Sequence, residues 1–175
     1  MSGESRGPKV ASLNDLLAVA YRIEVDAVVR YHLLADQMET HNNSELLKVF
    51  RDLARVEGIH GDEIRKLAGD FDVVAHAKTI GKFSGESPEE ADLSAAHYMM
   101  TPWHALQLAL AGEDRALAYF TSIVETAKEP KVKAMAAELV EEETEHVGLV
   151  HRLLKRYPKP SETWADDFDP PVSQE

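Results

Sequence analysis

Apolar residues recur every three or four positions through four long stretches of the chain, and each stripe is interrupted near its middle by glutamate. The first stripe reads Leu13, Leu17, Ala20, Glu24, Ala27, Val28, Tyr31, Ala35, Met38; the second reads Leu46, Val49, Phe50, Leu53, Glu57, His60, Ile64, Leu67. The third is Leu106, Ala109, Leu110, Glu113, Leu117, Phe120, Val124, and the fourth is Val132, Met135, Ala136, Leu139, Glu143, His146, Val150, Leu153. Four amphipathic helices are therefore predicted. The first starts at about position 13, with Ser12 or Asn14 as cap, runs to Met38 and breaks at His41-Asn42-Asn43. Ser44 is the predicted cap of the second, which ends near Gly69-Asp70. Thr101 ahead of Pro102 opens the third, ending before Lys128, and Pro130 opens the fourth in the same way, ending before Pro158.

The connections after the first and third helices are short, whereas about thirty residues, 71–100, separate the second from the third. Short, long, short describes two antiparallel hairpins joined by one crossover. Within it, Gly81, Gly85 and Pro88 break the pattern, and Ser87-Pro88-Glu89-Glu90 predicts the start of a short extra helix. Residues 1–11 are expected to be a flexible N-terminus and 12–156 the bundle. Residues 157–175, with four prolines and five acids, form a tail expected to lie along the surface or stay disordered.

The glutamates stand where a plain bundle would place leucine. Glu24 precedes Glu57-x-x-His60 by 33 residues, and Glu113 precedes Glu143-x-x-His146 by 30. Residues i and i+3 share a helical face, so each Glu-x-x-His offers an oxygen and a nitrogen to one place. Burying a single unpaired ion costs several kcal/mol, in order of magnitude. Four carboxylates at one level would repel one another unless cations lay between them, and two divalent ions supply that compensation. A lone Glu-x-x-His arises often by chance in charged helices, particularly in the run Glu141 to Glu145, whose other acids are expected to form a solvated face. The joint pattern is what points to a dimetal site: two motifs, two single glutamates, matched spacing and the correct stripe.

Other candidates carry less. Tyr31, two turns after Glu24, is placed either to hydrogen-bond a ligand carboxylate or simply to fill the core. His32, His104 and His151 sit off the ligand positions, and His76 and His97 fall in the crossover. Met99 and Met100 with Trp103 are expected to cover the bundle end. Gly58, Gly112 and Gly148, beside the ligands, are expected to permit close helix approach.

Composition narrows the chemistry. With no cysteine, disulfides, thiolate catalysis and cysteine-ligated clusters are excluded, and any metal takes oxygen and nitrogen ligands. A formal charge of −12 disfavours nucleic acid and anionic membrane as partners. No run of about 18 apolar residues predicts a transmembrane helix, and the N-terminus lacks the apolar core of a secretory signal. A cytoplasmic location is expected.

At Glu24, Glu57, His60, Glu113, Glu143 and His146 the chain resembles the ferritin-like superfamily of carboxylate-bridged dimetal proteins, and within it the rubrerythrin-like group. The likeness spans roughly 12–156 and implies an all-α, ferritin-like four-helix bundle. It implies Glu57 and Glu143 as bridges, Glu24 and Glu113 as terminal ligands, and His60 and His146 on one ion each, with Tyr31 matching a tyrosine near the cluster. Two departures stand out. The cysteine-ligated rubredoxin domain of full-length rubrerythrin is absent, so an external electron donor is implied. The additional glutamate one turn after the third-helix ligand is Ala116 here, so the carboxylate that exchanges with histidine in the rubrerythrin redox cycle is missing.

The expected function is a di-iron redox enzyme, two Fe ions per chain with Mn or Zn as alternatives, using peroxide or dioxygen as oxidant. Reduction of hydrogen peroxide leads, followed by ferroxidase chemistry. An iron-storage protein is the main alternative, with a dimanganese catalase, a di-iron oxygenase and a vestigial structural bundle behind it. A homodimer is implied by the family likeness.

Overall fold

A computed structural model describes residues 7–80 and 100–161. Its elements are all helical: α1 (Leu13–Thr40), α2 (Ser44–Ala68), α3 (Val73–Thr79), α4 (Pro102–Thr126) and α5 (Pro130–Leu154). Helices α1 and α2 pack along one another as a hairpin, α4 and α5 as a second, and α3 lies against α1. The expected extra helix at Ser87 falls outside the described residues, as do His97 and Met99.

Local chemistry sets the helix ends. Ser12 accepts from the Asp15 backbone N–H while Asp15 reaches back to the Ser12 N–H, a reciprocal box that opens α1. The cap of α2 is Asn43 rather than Ser44, because the Asn43 side chain accepts from Leu46 N at 3.0 Å. At the far end of α2, Gly69 takes a φ of 59°, which only glycine adopts without strain. Thr101 caps α4 as expected. Glu129 makes no side-chain bond at the start of α5, so Pro130 alone marks that end.

Helix α3 was not foreseen, and it explains why Leu16 to Ala20 are buried all round. Its Val73, with Phe71, Val74 and Ile80, covers the side of α1 that would otherwise face water. Leu67, expected on the core stripe, is instead 62% exposed. Met100 is buried at the bundle end as expected, with Trp103 partly buried beside it beneath the Lys159 ammonium. Tyr119 donates to the Pro8 carbonyl at 2.8 Å, while Arg156 and Tyr157 both reach Glu45 at the start of α2.

The core is divided. One apolar cluster gathers Tyr31, Leu34, Met38, Phe50, Leu106 and Leu153 with their neighbours, and a second gathers Leu16, Val19, Ile64, Phe120, Val132 and Leu139 with theirs. Along every long helix the boundary between the two clusters is a glutamate: Ala20 and Ala27 flank Glu24, and Ala54 and Ile64 flank Glu57. In the second hairpin, Ala109 and Ala116 flank Glu113, and Leu139 and Val150 flank Glu143.

Candidate metal centre

The four glutamates at that boundary are the buried charged residues among those described, each between 2% and 5% exposed. His60 and His146 join them at 19% and 12% side-chain exposure, their rings nearly parallel, 5.7 Å apart and inclined by 10°. All six positions singled out by the sequence therefore meet at one level. The helix period puts them there: each acid interrupts an apolar stripe, and each histidine lies one turn further on the same face.

Glu57 is central. Its Oε2 lies 3.3 Å from His60 Nδ1 and its Oε1 lies 3.1 Å from His146 Nδ1, so one carboxylate turns an oxygen to each imidazole. His146 Nδ1 also lies 3.5 Å from Glu113 Oε2 and 3.9 Å from Glu143 Oε2. Yet Glu57 Oε1, His60 Nδ1 and His146 Nδ1 are buried without an aligned hydrogen bond. Unsatisfied polar atoms of this kind are rare in native interiors. Lone pairs that converge on a common space, rather than on one another's protons, suit a shared cation.

Glu113 is held from the α1 side. The buried Tyr31 hydroxyl donates to its Oε1, and Arg30 Nη2 approaches the same oxygen at 3.4 Å. Tyr31 is thus both core filler, stacked on Phe50, and partner of a site carboxylate. Gly112 makes room for this arrangement, since a Cβ there would collide with the Arg30 guanidinium. The close backbone approach expected at Gly58 is absent, with nothing near its missing Cβ, and Gly148 meets only Arg152 of its own helix. Gly61 also faces α1, and a Cβ there would stand 3.7 Å from Glu24 Cβ, in ordinary contact.

Electrostatics divides the four acids into two kinds. Burial pushes Glu24 up to about 10, with the neighbouring Glu57 adding to it, and burial together with Glu113 pushes Glu143 up to about 9. Burial also opposes ionisation of Glu57, but His146 and His60 outweigh it and hold that group at about 2. Glu113 is likewise lowered, burial being overcome by His146 and Arg30. Burial disfavours the His146 cation, yet Glu113 and Glu57 raise it to about 11. His60 is raised chiefly by Glu57. The cluster compensates itself with protons, which is what a buried acidic layer does in place of cations.

Sets of ligand atoms within 4.8 Å of one another are Glu57–His60–His146, Glu113–Glu143–His146 and Glu24–His60–Glu142. Glu142, expected on a solvated face, is instead half-buried beside the site. The signal that would have found it is its place one turn ahead of His146 on the same helix face. The oxygen and nitrogen donors, without sulfur, fit hard or borderline divalent metals. No helix among the described residues is long and apolar enough to cross a membrane.

The rubrerythrin family model matches residues 15–93, a span that contains Glu24, Glu57 and His60. A solved structure of an uncharacterized conserved protein from Magnetospirillum magnetotacticum MS-1 is 35% identical, with a TM-score of 0.72. That alignment covers 86% of this chain and 98% of the other. No curated protein matches the chain. A family match over the first hairpin and a relative aligned over most of the chain agree with the buried carboxylate–histidine layer, and the chain belongs to the rubrerythrin family of the ferritin-like di-iron superfamily.

Proposed function

We propose that this chain is a non-haem dimetal oxidoreductase of the cytoplasm that holds two iron ions and reduces hydrogen peroxide, with ferrous iron oxidation as a related activity. The observation that carries this reading is the convergence of four buried carboxylates and two imidazoles on one layer, three of whose polar atoms lack partners. Glu57, with an oxygen toward each imidazole, would bridge the ions, and Glu143 would bridge from the opposite hairpin. Glu24 and His60 would complete one ion's ligands, Glu113 and His146 the other's. Oxygen-rich ligation favours iron or manganese over zinc. Two ferrous ions held there would supply the two electrons that, with two protons, reduce peroxide to water.

The surrounding residues have separable tasks. Tyr31 and Arg30 fix Glu113 through Oε1 and leave Oε2 facing His146. The two apolar clusters keep water from both ends of the layer. His60 and His146, partly exposed on α2 and α5, would form the side from which a small oxidant reaches it. Reducing equivalents would come from an electron donor outside the residues of this bundle. Val25, Val29 and Leu33 form an exposed apolar stripe at helical spacing on α1, which supports a second copy of the chain as partner.

The test is anaerobic ferrous titration followed by rapid mixing with peroxide or dioxygen. Two irons per chain, oxidised faster by peroxide, are expected. Faster oxidation by dioxygen would move the assignment to ferroxidase or storage chemistry. Glu57→Ala and Glu143→Ala are each expected to lose at least one bound ion, and two tightly held ions in both variants would overturn the ligand assignment.

A further inference from the structure

The six-residue ligand set leaves one neighbouring carboxylate unassigned. Glu142 is half-buried, directly precedes Glu143, and brings a carboxylate oxygen within 4.8 Å of both Glu24 and His60 ligand atoms. Donors each about 2.1 Å from one ion stand at most about 4.2 Å apart. A contraction of half an ångström or so, well within side-chain adjustment, would therefore bring all three onto a single cation.

Two further observations favour this placement. Glu24 is 3% exposed, and its hydrogen-bond partner is Glu57, itself an acid, so no basic or amide donor of the described residues satisfies it. This contrasts with Glu113, which has Tyr31 and Arg30. Ala116, one turn after Glu113, is buried in the apolar cluster and offers no donor, so among the described residues Glu113 is the one buried charged group that α4 brings to the layer.

Building on the dimetal reading, we propose that Glu142 is a seventh ligand of the centre. It closes a Glu24–His60–Glu142 set around one ion and leaves Glu113 and His146 to the other, with Glu57 and Glu143 shared between them. The two ions are then inequivalent: one lies deep and is braced from α1, while the other is closed by a carboxylate at the protein surface.

The experiment is calorimetric titration of the metal-free full chain with Co²⁺ alone, alongside E142Q and E141Q. Glu141 is the adjacent, exposed acid and controls for net charge. Wild type and E141Q are expected to bind two ions per chain. E142Q is expected to weaken one binding step by about tenfold or more and to keep the other. Unchanged binding of both ions by E142Q overturns the proposal, as does equal weakening of the same step in E141Q, which would mean a field effect rather than a bond. A wild-type chain that binds fewer than two ions overturns the dimetal reading itself, and this inference with it.

Discussion

At the scale of single residues, the metal-free site balances its charge with protons, and this fixes how it responds to pH. Glu24 and Glu143 keep protons in the folded chain up to about 10 and about 9, whereas the unfolded chain gives them up near 4.5. His146 stays protonated to about 11, against 6.5 unfolded. For all three, stability that is complete at low pH is lost as pH rises through the folded values. Glu57 behaves oppositely, losing its contribution only as pH falls from 4.5 toward about 2. The melting temperature of the metal-free chain should accordingly fall between about pH 6 and about pH 9. Metal must displace those protons, so affinity should rise over the same window and the stabilisation by added metal should grow. Melting curves with and without Mn²⁺ at both pH values check this; a metal-free chain that gains stability with pH would contradict it.

Glycine substitutions offer a second test at this scale. Gly58→Ala meets open space and should stabilise the metal-free chain by about 1 kcal/mol, the helical propensity difference. Gly112→Ala gains the same propensity but must displace the Arg30 guanidinium, an adjustable side-chain end. Its net gain in urea unfolding should be smaller, and Glu113 should lose the Arg30 contact. All six ligand candidates were legible in the sequence because each violates the stripe it sits in. Glu142 was not, because the run of acids around it masks its one distinguishing signal, the place one turn ahead of His146.

At the scale of elements, proline and capping residues identified the starts of α1, α4 and α5 to within a residue. By residue type Asn43 and Ser44 are equally good caps, and only the backbone turn decides between them. Asn42, at a φ of 53°, makes that turn. Asn43→Ala should therefore lower stability by about 1 kcal/mol in urea titration, with metal stoichiometry unchanged, while Ser44→Ala should have little effect. Helix α3 is illegible in the sequence for a different reason. Seven residues are too few for an apolar period to repeat, and its evidence lies on α1, in the fully buried run Leu16 to Ala20.

At the scale of the molecule, the short-long-short spacing of connections was enough to predict paired hairpins, because short loops force antiparallel neighbours. The division of the core was implicit in the same stripes, although no single stripe displays it. Each apolar cluster draws on all four long helices, and the two are separated by a layer that, without metal, is held by carboxylic protons. The bundle thus resembles two short barrels joined end to end, with the carboxylate layer, and any metal it binds, as the weld. Stripped of metal, its ends should open as separate cooperative units, and amide exchange should show two protection levels, one for each half. Loading the layer should merge them, so that Phe50 and Leu139, mid-helix residues in the two different clusters, exchange with a common free energy. Binding two ions would then turn a pair of loosely coupled folding units into one.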